Sequence, residues 1–263
     1  MIEYVVICAV ATVVAALTLF SGFGLGTLLM PAFAVFFPVS FAVAATAVVH
    51  LANNLFKVVL VGRHADLKTV VRFTIPAAVF AAIGAFLLGR LSDMAPLASY
   101  SIAGKTYEIT TVKLVIASLL AFFSLWDLFP RVGNLVFDPK WVPLGGALSG
   151  FFGGLSGLQG ALRSAFLIRC GLSKEAFIAT GVVSTVGVDI SRLLIYGTTF
   201  FTKHSAVVTL HDGMGLIAAG MLAAFAGSFI GSRFLTKMTL KAVQWIVGTM
   251  LLGLSLALGA GII

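Results

Sequence analysis

Two opposite charges, Asp189 and Arg192, stand inside the apolar run ATGVVSTVGVDISRLLIYG (179–197), with Thr185 one turn ahead of them. A second run, AATAVVHLANNLFKVVLVG (44–62), carries His50, Asn53, Asn54 and Lys57. Both sets are spaced by three, four and seven residues, so on a helix each forms a stripe along one face. The chemistry available to such stripes is anion binding. A cation neutralises the ligand, amides and hydroxyls donate hydrogen bonds to it, and a carboxylate holds a cation in place or takes up a proton. A single charge at the centre of a bilayer helix costs about 2.5–3.5 kcal/mol on insertion scales. These stripes therefore need a polar surrounding. Blander readings exist for each residue alone: Lys57 can snorkel to headgroups, Asp189 and Arg192 can be a structural ion pair, and His50 can be a hydrogen-bonded packing residue. Two neighbouring asparagines have no reason to face lipid, and the stripes are expected to line one polar cavity.

Glycine-rich breaks precede each stripe, SGFGLG (21–26) and GGLSGLQG (153–160). Glycine lets the backbone break and approach a ligand closely, here at Gly22, Gly24 and Gly157. The helices expected to start near Thr27 and Ala161 would present unpaired N–H groups and a positive dipole end, which attract anions. Arg163 falls in the first turn of the second of them, and Ser21, Ser156 and Gln159 add neutral donors. Lys57, Arg163 and Arg192 outnumber the carboxylate of Asp189, and the balance favours an anion. The competing reading is that these glycines only let membrane helices pack closely.

The elements that must position these residues are membrane helices. Of 263 residues, 60% are hydrophobic and 10% charged, whereas a soluble domain carries about 25% charged residues. Ten apolar segments can be drawn: 4–20, 25–37, 41–61, 73–91, 111–129, 142–152, 159–171, 175–196, 213–234 and 241–262. They lack the period-two alternation of an outer-membrane barrel. The net charge of +8 lies mostly in short loops, as membrane orientation requires, so nucleic-acid binding is unsupported. Cys8 and Cys170 fall in apolar helices without metal spacing. No phosphate-binding G-x-x-x-x-G-K-[ST] motif is present, and no cofactor is implied.

Residues 45–62 align with 179–197 with one inserted residue, placing Thr46 on Thr180, Lys57 on Arg192 and Gly62 on Gly197. The chain thus reads as two repeats, 1–130 and 131–263, of five segments each. The first two segments of each repeat are short, and 142–152 and 159–171 are candidates to be re-entrant. Three or five crossings per repeat turn the second repeat upside down. Loop charges agree: Arg63, Lys68 and Arg72 follow the third segment, and only Lys203 follows the eighth. By the positive-inside rule loop 62–72 is cytoplasmic and both termini lie outside. The connection 92–110 is then external, with the polarity of a cap or short hairpin, and Trp126 and Trp141 suit interfacial anchoring.

The stretches 21–33, 44–91 and 153–197 together resemble the sulfite exporter TauE/SafE family, also called the 4-toluene sulfonate uptake permeases. The resemblance spans nearly the whole chain. It implies an all-α polytopic protein of the bacterial inner membrane, built of two similar halves, that moves sulfite, sulfoacetate or other organosulfonates. A secondary carrier for small anions, working by alternating access at the interface of inverted repeats, is the function expected. Its partners would be the anion, the bilayer and, in an oligomer, a second copy. An anion channel would share the lining. GLSG (154–157) also resembles the serine motif of rhomboid-type intramembrane proteases, but a nucleophilic Ser156 would need a histidine base, and His204 and His211 stand at no visible spacing to it.

Overall fold

The computed structural model describes residues 1–21, 25–129, 137–198, 213–234 and 240–263. Among them are ten α-helices, one for each expected segment. They are α1 (Ile2–Ser21), α2 (Leu25–Ala34), α3 (Val39–Val61), α4 (Leu67–Ser92), α5 (Thr111–Leu128), α6 (Val142–Ser156), α7 (Gly160–Leu167), α8 (Lys174–Tyr196), α9 (Gly213–Phe234) and α10 (Leu240–Gly259). Local chemistry sets several of their ends. Side chains of Asp66, Thr110 and Ser173 accept the amides of Thr69, Lys113 and Ala176 at the starts of α4, α5 and α8, satisfying orphan donors of the first turn. Gly157 ends α6 in the left-handed conformation, φ +82°, which a side chain would oppose.

α1 is longer than expected, at 20 residues. α2 and α7 have 10 and 8 residues, and an eight-residue helix rises only about 12 Å. The connection 92–110 is a hairpin, β1 (Ala98–Ile102) paired antiparallel with β2 (Lys105–Ile109). Its two loop residues, Ala103 and Gly104, both have positive φ, the requirement of a tight two-residue turn. Tyr100 stacks on Tyr107 and donates to the Ala260 carbonyl at 2.5 Å, fastening the hairpin to the end of α10.

The inside of the bundle combines small residues, polar side chains and a large apolar cluster with Phe33, Phe41 and Ile116, and the outside is rich in large apolar side chains. Ala77, Ala81 and Ala85 of α4 are fully buried, whereas Val59, Leu194 and Leu222 are 84%, 69% and 67% exposed. That is the distribution for lipid contact, where tight helix packing rather than apolar burial holds helices together. Among the described residues, four helical stretches are long and apolar enough to cross a membrane: Val39–His64, Leu67–Ser92, Lys174–Tyr196 and Gly213–Gly231. The protein is a multi-pass membrane protein.

Glycines determine two of the closest helix contacts. A Cβ on Gly146, Gly150 or Gly154 of α6 would lie 2.2, 2.0 or 2.0 Å from the carbonyl oxygens of Phe73, Ala77 or Ala81 on α4. No side chain fits there. Gly227 and Gly231 of α9 meet the Thr12 and Ala16 carbonyls of α1 in the same way. α5 packs on α10, with Ser124 donating to the Gly248 carbonyl at 2.6 Å, and α3 packs on α8 near the centre. α4 also packs on α8, as α9 does on α3.

Candidate functional site

The stripes of α3 and α8 face each other across the centre of the bundle. Asn53, Asn54 and Lys57 are 0%, 5% and 7% exposed, and Thr185, Asp189 and Arg192 are 1%, 0% and 0% exposed. Neither Lys57 nor Arg192 snorkels.

Asp189 is the hub. Its Oδ2 accepts from His50 Nδ1 at 2.7 Å, joining the two stripes. Its Oδ1 accepts from Arg192 through Nη2 at 2.6 Å and Nε at 3.0 Å, and from Gln159 Nε2 at 3.4 Å. An ionised carboxylate only accepts, so the His50 proton is assigned to Nδ1 and the lone pair to Nε2. Arg192 also donates through Nη1 to the Gly153 carbonyl at 3.0 Å. Tyr196, one turn further along α8 and fully buried, donates to the Gly154 carbonyl. The last turn of α6 is thereby tied to α8 through the Gly153 carbonyl, which also accepts the Gly157 amide at 3.0 Å, and the Gly154 carbonyl.

The two glycine-rich breaks meet at this hub. A Cβ on Gly26 would lie 3.2 Å from the Gly157 carbonyl oxygen and 3.9 Å from His50 Nε2. One on Gly157 would lie 3.5 Å from Arg192 Nη1 and 3.7 Å from the Gly26 carbonyl oxygen. The start of α2 and the end of α6 therefore touch backbone to backbone, with His50 beside one break and Arg192 beside the other.

Arg163 reaches from the first turn of α7 to α8. It crosses at Gly181, where a Cβ would sit 3.2 Å from its Nε, and its Nη1 donates to Thr185 Oγ1. Thr185 in turn donates to the Gly181 carbonyl at 2.8 Å. Lys57 differs from all of these. Among the described residues its ammonium has no hydrogen bond and no ion pair, although the side chain is buried. The charges it acts on are those of Arg163 and His50, and Arg163 repels it. Among the described residues, three cations, Lys57, Arg163 and Arg192, thus share the interior with the carboxylate of Asp189.

Other expected site residues take up different posts. Asn54 donates to the carbonyl of His50 on its own helix at 2.8 Å. Asn53 is held by α9, its Oδ1 accepting from Ser228 at 2.8 Å while its Nδ2 has no partner among the described residues. Gln159 precedes α7, and its carbonyl accepts from Ser149 at 2.8 Å. Ser156 is fully buried and donates to the Phe152 carbonyl of its own helix at 3.0 Å. Gly22, Gly24, His204 and His211 lie outside the described residues, as does the side chain of Ser21. Sequence reasoning placed Thr185 in the α8 stripe without a role, and it missed Gly26, Gly181 and Tyr196. Tyr196 follows Arg192 by four residues, so the stripe itself pointed to it.

A family model described as Sulfite exporter TauE/SafE matches residues 7–258. No curated protein and no solved structure matches the chain.

Proposed function

The chain belongs to the Sulfite exporter TauE/SafE family, and on that premise we propose that it is a secondary carrier whose anion lies between Lys57 and Arg163. Membership makes it a membrane exporter of sulfite or a similar sulfur-containing anion. The observation that carries the site is the Lys57 ammonium, buried, repelled by a second cation and, among the described residues, without a protein partner. An isolated buried charge is expensive, and an oxyanion held between the two groups removes that cost. Arg192 is occupied by Asp189 and the Gly153 carbonyl. In this reading it braces the seam, while Arg163, with Thr185 beside it, takes the place opposite Lys57.

Alternating access supplies the cycle. Residues 1–130 and 131–263 act as two inverted repeats that rock about the seam. The exchange of packing partners supports this: when α6–α10 are taken as counterparts of α1–α5, the α4–α6 contact becomes the α9–α1 contact. The α4–α8 contact likewise becomes α9–α3, and α3–α8 and α5–α10 map onto themselves. The loop charges support a bacterial inner-membrane orientation with both termini outside. The Gly26–Gly157 backbone contact is the pivot, since it has no side chains to repack. Sulfite, sulfoacetate and related organosulfonates are the candidate cargoes.

Proteoliposomes loaded with radiolabelled sulfite test the carrier. Efflux is expected to saturate with internal sulfite and to accelerate when unlabelled sulfite is added outside, because a loaded carrier returns faster than an empty one. Efflux that rises linearly without such acceleration would make the protein a channel, and no sulfite-specific efflux would end the reading.

A further inference from the structure

We infer that the His50–Asp189 pair is a proton-binding site, and that a proton enters and leaves the carrier together with the anion. The inference rests on the anion site proposed above and adds the ion that travels with it. His50 is the more open side of the pair: its side chain is 14% exposed, against 0% for Asp189 and Arg192. Its two ring nitrogens have different duties. Nδ1 is held by Asp189 Oδ2 at 2.7 Å, and the Asn54 amide 3.2 Å from it donates to the His50 carbonyl instead, at 2.8 Å. Nε2 makes no hydrogen bond among the described residues and lies beside the glycine breaks, where a Cβ on Gly26 would be 3.9 Å from it. A proton from solvent bonds to the Nε2 lone pair, and no bond in the protein breaks. Asp189 stabilises the imidazolium that forms, as a carboxylate does behind a histidine base.

The charges around the ring link this proton to the anion. Asp189 and Arg192 of α8 and Lys57 of α3 act on it. α2 and α6, whose breaks adjoin it, contain no ionisable residue, and α9 has Arg233 in its last turn. The ionisable residues of α4 and α5, which also touch α3, stand within two turns of the helix ends. Lys57 lies seven residues from His50 on the same face, a rise of about 10 Å. An imidazolium and the Lys57 ammonium repel one another. An anion held by Lys57 therefore favours the proton, and the proton favours the anion by the same factor. The proton is taken up where α3 meets α8, so whichever side the seam opens to supplies or receives both ions.

Calorimetric titration of the purified wild-type protein with sulfite, in two buffers of different ionisation enthalpy, counts the protons taken up. At about pH 8, above the ordinary histidine range, uptake of about one proton per bound anion is expected. His50→Gln, which keeps a neutral hydrogen-bonding side chain, is expected to bind sulfite with almost no uptake. Equal uptake in both proteins would place the proton on the sulfite itself and overturn the inference. So would sulfite binding to the wild type without uptake, which would leave the anion site standing. No sulfite binding at all would end the anion site and this inference with it. A second variant leaves the pair intact: His64→Gln, His204→Gln and His211→Gln together make His50 the remaining histidine of the four. Nitrogen NMR of that histidine-labelled protein is expected to show Nε2 gaining a proton when sulfite is added, and an unprotonated Nε2 at saturation would overturn the inference.

Discussion

Lys57→Met is expected to abolish sulfite transport and to leave the protein as stable as the wild type, or more so. The two effects have opposite signs because of what surrounds the ammonium. In the unliganded protein it is 7% exposed, has no hydrogen-bond partner among the described residues, and faces the repulsion of Arg163. Methionine of similar length removes that buried charge and the cost of keeping it from water. With the anion bound, the same change removes one side of a desolvated charge pair, which costs about 2–5 kcal/mol. That is a loss of roughly thirtyfold or more in affinity. Flux in proteoliposomes and thermal unfolding of the same preparation read the two effects separately. Normal flux would remove Lys57 from the site. Lost flux accompanied by a lower unfolding temperature would make Lys57 a structural residue.

Asp189→Asn is expected to act in the contrary way, on stability first. Arg192 is fully buried, and Asp189 is the carboxylate it pairs with. Removing one partner of a buried ion pair costs about 3–5 kcal/mol, because the other charge stays behind unpaired. His50 loses its charged acceptor in the same step. Replacing the pair together, Asp189→Leu with Arg192→Met, is expected to recover most of the loss, since apolar groups of similar volume often substitute for buried pairs without penalty. Unfolding curves of the two single variants and the double variant form the cycle. If Asp189→Asn unfolds like the wild type, the hub is not what holds α3, α6 and α8 together.

The contrast explains which parts of the site were legible in the sequence. Both polar stripes could be read because a helical face repeats every three to four residues, and His50, Asn54, Lys57, Thr185, Asp189 and Arg192 all turn inward as that spacing requires. The division of labour among the three cations was not readable. Lys57 and Arg192 align in the repeat and were expected to be equivalent, but Arg192 has Asp189 three residues before it on the same face and is captured locally. Arg163 gains its place from Gly181, whose missing side chain leaves room for the guanidinium to cross α8. That is a tertiary fact. So is the capture of Asn53 by Ser228, 175 residues away.

The glycines were half legible. Density alone pointed to a break for binding, and Gly157 is one, beside Gly26 and Arg192. Gly146, Gly150 and Gly154 instead recur every four residues and press α6 onto α4 carbonyls, which is the small-residue packing pattern of membrane helices. Their spacing contained that distinction. α1 extends the drawn segment 4–20 by Ile2 and Glu3 at its start and Ser21 at its end.

Selenite replaces the sulfur of sulfite with selenium and keeps the pyramidal dianion, so its position can be read from anomalous scattering. Crystals of the protein grown with selenite are expected to show an anomalous peak within hydrogen-bonding reach of Lys57 Nζ, on the side facing Arg163, and to lose it when sulfite is added in excess. A selenium peak away from both cations that sulfite displaces, or no peak at concentrations where selenite blocks sulfite efflux, would contradict the account.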